Sequence, residues 1–206
     1  MTNSIITVSR EFGSGGREIG EKLSKEFNIP FYDKELIALA SKQSGLSQEI
    51  LEHYDEIQTS SLIYTLAMGS YPYSDGARLY MDMPLYQQIF MAQFDTIENL
   101  AKQGPCVIVG RCADYVLRKN KNVVNIFVSA DMPFKIERVS KIYNLDEKKA
   151  METIIKTDKK RANYYRYYTE QKWGLVCNYD LCIKSSKIGI DNTVKAIADY
   201  VRGNII

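Results

Sequence analysis

Short apolar runs alternate along the chain with longer segments whose apolar residues recur every three or four positions. Residues 4–9 form the first run, and its near-continuous hydrophobicity predicts a strand buried on both faces. Over residues 17–27, Ile19, Leu23 and Phe27 recur at helical spacing. Residues 29–33 predict a short second strand ending on a carboxylate. Residues 34–42 follow as a helix with Leu36, Ile37, Leu39 and Ala40 inward. The stretch 47–101 reads as mostly helical, broken by a turn-rich loop at 69–76, and its clearest helix is 85–101. Further buried strands are predicted at 105–110, 123–129 and 180–183, and helices at 111–119, 131–143, 146–168 and 190–201. The segment 146–168 is very polar, with few apolar anchors.

Strands that alternate with helices, each strand short and apolar, predict the α/β class with a parallel sheet covered on both faces. Ligands in such sheets gather at the carboxyl ends of the strands. Here those ends carry Arg10, Asp33, Arg111 and the turn at 129–131.

The first strand runs into Gly13-Ser14-Gly15-Gly16-Arg17-Glu18 and then into a helix, which is the context in which a glycine-rich loop cradles phosphate. The loop departs from G-x-x-x-x-G-K-[ST]. In one register, with Gly13-Ser14-Gly15 placed on the G-x-G of the related spacing G-x-G-K-x-[ST], Gly16 stands at the lysine position and Glu18 at the hydroxyl position. In the other, Arg17 stands for the lysine and Glu18 replaces the metal-ligating hydroxyl. The bland alternative is a tight strand-to-helix turn with glycines for geometry alone. Glu18 and Asp33 are the candidate metal ligands.

Composition narrows the picture further. The 206 residues suit one domain, 45% hydrophobic and 25% charged, with a net charge of +2 that gives no support to a nucleic-acid partner. No segment is apolar enough to span a membrane and no leader is visible, so a cytoplasmic protein is expected. Cys106, Cys112, Cys177 and Cys182 form no C-x-x-C pair and are expected to be buried free thiols. With His53 the only histidine, a zinc site or a histidine-dependent triad has little support. Ten of the 15 tyrosines lie at 54–86 and at 164–168, which suits either a groove for a base or helix faces and an oligomer surface.

Arg111 follows Gly110 at the end of an apolar run, where it can form a bidentate contact with phosphate or serve as a structural ion pair. Asp114 lies one turn on. Asp158, Lys159 and Arg161 sit on the polar helix, where they can close over a transferring phosphoryl group or form a solvated face. Arg78 lies in the tyrosine-rich insert.

These motifs together resemble the cytidylate kinase-like group of the phosphate-loop nucleoside monophosphate kinases. The resemblance is carried by residues 6–17, 30–33, 107–114, 158–165 and 178–183, and so covers nearly the whole chain. It implies a five-stranded parallel core with the first strand central (residues 1–46, 102–145 and 169–206). It also implies a helical monophosphate-binding insert at 47–101 and a lid at 146–168. By the same resemblance, Gly13, Ser14, Gly15, Gly16 and Arg17 hold the phosphates of ATP accompanied by Mg²⁺, with Glu18 in the same cofactor-binding loop. Arg111 binds the acceptor phosphate, with Asp33 near acceptor and metal, and Arg161 with Lys159 neutralises the transferring group. Asp114, Asp158 and Arg78 fall on the acceptor side. Cys112 stands where cytidylate kinases carry an aspartate that helps read cytosine, and a thiol does not accept hydrogen bonds as a carboxylate does.

The resulting expectation is phosphoryl transfer from ATP to a nucleoside monophosphate, cytidylate-like, or another small acceptor. The alternative is a catalytically weak nucleotide-binding or sensing domain.

Overall fold

The computed structural model describes residues 3–53 and 84–203. Arg78, the loop at 69–76 and Tyr54, Tyr64, Tyr71, Tyr73 and Tyr80 lie outside the described residues. Among those described, five parallel strands form one sheet in the order β2-β3-β1-β4-β5: β1 (Ile5–Arg10), β2 (Phe31–Tyr32), β3 (Val107–Val109), β4 (Val123–Ser129) and β5 (Leu181–Lys184). Val8 pairs with Val109 on one side and Ile126 on the other, so the first strand is central, as expected.

Side chains alternate across a strand, and here both faces are apolar because both are covered. Ile6 and Val8 pack under α1 (Gly16–Phe27) and α8 (Ser185–Gly203, interrupted at Gly189), against Ile19, Leu23, Ile197 and Val201. Ile5 and Ile108 face the other way. They meet Leu36 of α2 (Glu35–Ser44) and Ile97 and Leu100 of α4 (Leu85–Gln103). A smaller cluster joins α2, α3 (Gln48–His53) and α4 through Ile37, Leu51 and Ile89.

Three expectations change. The helix foreseen at 111–119 shrinks to α5 (Ala113–Val116), because Gly110, Arg111 and Cys112 take φ of 76°, 54° and 56° in succession. The polar segment is a single helix, α7 (Glu147–Thr169), capped by Asp146 and better anchored than its composition suggests. Ala150 and Ile154 pack with Val139 of α6 (Met132–Tyr143) and with Phe12, and Tyr164 and Tyr165 are buried farther along. Of the four thiols, Cys106 and Cys112 are buried but Cys177 and Cys182 are exposed; all are free. Burial pushes the Cys106 thiol up to about 11, which keeps it protonated and unreactive.

Candidate active site

The carboxyl end of β1 turns into α1 through residues 11–15. Ser14 closes the turn: its hydroxyl donates to the Glu11 carbonyl at 2.8 Å, and its own carbonyl accepts from the Ser185 hydroxyl at 2.6 Å. Gly15 is the residue before the helix, with φ 83° and no side-chain cap. The N–H groups of the first turn of α1 therefore point into open space at the positive end of the helix dipole. That is a cradle for an anion. A side chain at Gly16 is excluded for another reason, since a Cβ there would stand 2.4 Å from Arg10 Cβ.

A charge cluster centred on buried Lys135 lies beneath the loop, with its two carboxylates partly exposed. The Lys135 ammonium, on α6, donates to Glu11 Oε2 at 3.1 Å and to Asp158 Oδ2 at 3.2 Å. The other Asp158 oxygen accepts from the Phe12 N–H at 2.6 Å. Burial raises the Asp158 pKa, and these contacts offset it only in part. Asp158 thus ties α7 to the loop and does not line the cleft.

The opposite half of the cleft is built from side chains. Buried Asp33, just after β2, accepts from Arg17 Nε at 2.7 Å and from Arg111 Nη1 at 3.5 Å. Arg111 is buried and also donates to the Val109 carbonyl at 3.3 Å. Its left-handed backbone, shared with Cys112, costs on the order of 1–3 kcal/mol per residue. The turn aims the guanidinium back over the strand ends and at Asp33. Arg17 is placed differently from its donor-side expectation. It reaches across to Asp33, with its guanidinium 5.8 Å from the centre of the Phe31 ring.

From the third side comes α7. Arg161 donates to the Arg10 carbonyl at 3.2 Å and lies 5.6 Å from the centre of the Phe12 ring. Lys159 is exposed and outside the cleft lining. The tyrosines hold the helix down. Tyr164 donates to Gln93 at 3.1 Å, Tyr168 to the Tyr86 carbonyl at 2.9 Å, and Tyr168 stacks on Phe90 at 3.9 Å. Tyr165 donates to Asp114 Oδ2 at 2.7 Å. Asp114 is therefore buried behind the Arg111 turn, away from the cleft wall, and burial lifts its pKa to about 6 despite that bond.

The elements enclose one cleft of about 690 Å³. Arg10, Arg17, Lys34, Arg111, Arg138 and Arg161 line it, against Glu11, Glu18, Glu21 and Asp33, so its field is positive and suits a polyanion. Gly13, Gly15 and Gly16 form its floor, with Val139, Ile142 and Tyr143 on an apolar wall. Lys34 and Arg138 were not singled out in the sequence. The available signal for Arg138 was its place on the helix that starts at the carboxyl end of β4. Among the described residues no group of three or more His, Cys, Asp or Glu could hold a metal by itself. Glu18 and Asp33 both face the cleft, which fits a Mg²⁺ that arrives on a triphosphate and keeps several waters.

Sequence and structure comparisons follow the same lines. The cytidylate kinase-like family matches residues 5–187. The cytidylate kinase of Methanocaldococcus jannaschii is 28% identical over 105 residues, 50% of this chain and 59% of that protein. The matched stretch is thus less than two thirds of that relative. Among solved structures, an uncharacterized protein from Eubacterium ventriosum is 31% identical with a TM-score of 0.71, covering 97% of this chain and 98% of the other. Shikimate kinase from Bacteroides thetaiotaomicron, 12% identical with a TM-score of 0.55 over 97% and 98% of the two chains, shares the fold. The family match takes in the glycine loop, Asp33, the Arg111 turn and the helix bearing Arg161, and the chain belongs to the cytidylate kinase-like family.

Proposed function

We propose that the protein transfers a phosphoryl group from Mg²⁺-bound ATP to a nucleoside monophosphate, cytidylate-like, or another small acceptor. The observation that carries this reading is the meeting of three groups in one cleft. These are the α1 cradle, the arginines backed by Asp33, and Arg161. In this reading the N–H groups of residues 15–18 hold the donor phosphates. Arg111, with Arg17 beside it, holds the anionic group of the acceptor. Arg161 neutralises charge as it develops between them, the electrostatic task on which phosphoryl transfer rests. Mg²⁺ would neutralise the triphosphate, with Asp33 or Glu18 as its protein partner. Residues 146–168 act as the lid and 47–101 as the acceptor insert.

One observation favours the alternative, a nucleotide-binding or sensing domain. Arg17, the nearest substitute for the loop lysine, is paired with Asp33 and turned from the cradle. ATP consumption measured against all nucleoside monophosphates and a panel of small alcohols and phosphorylated acceptors, with and without Mg²⁺, decides. Mg²⁺-dependent, acceptor-stimulated turnover is expected. ATP binding without turnover on any acceptor would favour the sensor.

A further inference from the structure

The cradle holds no lysine, and the structure explains why none could be added. A Cβ at Gly16 would lie 2.4 Å from Arg10 Cβ and 2.9 Å from Arg10 Cγ, so any side chain there displaces the strand end. Arg17 is engaged by Asp33 on the acceptor side. Lys135 is held under the loop by Glu11 and Asp158 and is not on the cleft wall. A cation does stand over the cradle, and it comes from α6. The guanidinium carbon of Arg138 is 3.7 Å from where a Cβ on Gly15 would sit, and Arg138 lines the cleft with Gly13, Gly15 and Gly16. Its Nη2 donates to Glu18 Oε2 at 2.8 Å, while its Nε is buried without a hydrogen-bond partner.

We propose that Arg138 is the cation that holds the donor phosphates in place of the missing loop lysine, and that Glu18 is the anion it releases when they bind. The inference rests on the ATP-binding reading above. Glu18 sits in the first turn of α1, beside the N–H groups that would receive phosphate. Its carboxylate bridges Arg138 and Lys22 and is held below its usual range: burial alone would raise it, but those two contacts outweigh burial. A phosphate oxygen on Arg138 takes the place of the Glu18 carboxylate there, while Glu18 keeps its contact with Lys22. Beyond its bond to Glu18, the guanidinium fork carries further N–H donors for the incoming group.

The test is ATP affinity without Mg²⁺, read by titration calorimetry, with thermal melting to check folding. Arg138→Ala is expected to weaken ATP by about 10- to 100-fold, the scale of a lost charge-assisted bond, and Arg138→Lys to recover part of it. Glu18→Gln is expected to tighten ATP, because the competing carboxylate is gone. That gain should vanish in the Arg138→Ala background, since both changes act on one contact. Unchanged affinity in Arg138→Ala, or an equal Glu18→Gln gain in both backgrounds, overturns the inference. If Arg138→Ala does not fold, Glu18→Gln decides by itself, and unchanged or weaker binding overturns the inference. No ATP binding by the unaltered protein would instead overturn the functional reading on which it rests.

Discussion

The two ends of the cleft are made of different material. The end proposed for the donor is backbone: a turn of glycines and the first N–H groups of α1, pinned by hydroxyls at Ser14 and Ser185. The end proposed for the acceptor is side chains: Asp33 gathers Arg17 from α1 and Arg111 from the turn after β3, with the Arg111 backbone held in a costly conformation. A backbone cradle needs only a local run of residues that can bend, and tolerates no added bulk. A side-chain clamp tolerates bulk nearby but fails when one partner of a buried pair is lost, because the other remains desolvated.

This contrast is most sharply tested by restoring what the loop lacks. Gly16→Lys brings back the lysine of the phosphate-loop pattern, yet it is expected to abolish measurable ATP binding. It should also lower stability by roughly 1–3 kcal/mol through overpacking against Arg10. Calorimetry and denaturant melts read both effects, and a gain in ATP affinity would show that the donor end is not limited by backbone approach.

Next in size is Arg111→Ala. It is expected to reduce acceptor kcat/KM by roughly ten- to a hundredfold, about 1.5–3 kcal/mol, with the ATP dissociation constant nearly unchanged. Steady-state kinetics with each substrate varied in turn would check it. Weakened ATP with intact acceptor kinetics would mean that the two ends are reversed.

The effect that leaves the cleft itself untouched concerns the joint between the Arg111 turn and α7. Asp114 has a folded pKa of about 6 against 3.8 in an ordinary environment. The folded protein therefore keeps a proton there that the unfolded chain has already released. The stabilisation is full below pH 4 and is lost as pH rises through 6, by at most about 3 kcal/mol. Asp114→Asn should flatten stability against pH over that window in urea titrations. An unchanged slope would place the pH dependence on another group.

The same contrast governs what could be read from the chain. The glycine loop was legible as Gly13-Ser14-Gly15-Gly16 between an apolar strand and an amphipathic helix, since a backbone site is written in consecutive residues. The clamp was legible only residue by residue. Asp33 and Arg111 each sat at a strand end, but nothing in the sequence joined either to Arg17, whose side chain could have turned to either half of the cleft. Lys159 and Arg161 are two positions apart on one helix, about 200° around its axis. Only Arg161 reaches the cleft. Asp114 read as a substrate-side residue from its place one turn after Arg111, and it is a buried acceptor for Tyr165.

The sequence by itself determined the strands, their helices and the parallel sheet, because burial on both faces leaves a continuous apolar signature and helical spacing marks each cover. It also determined that the loop could cradle an anion, since glycine's backbone freedom is a local property. Only the tertiary structure decided which cations serve that loop. Arg17 and Arg138 are separated by more than a hundred positions in the chain, and Arg17 lies within reach of Glu21 as well as Asp33. Packing of α6 and α7 on Phe12, and of β2 beside β3, sets which carboxylate each one meets: Asp33 for Arg17 and Glu18 for Arg138.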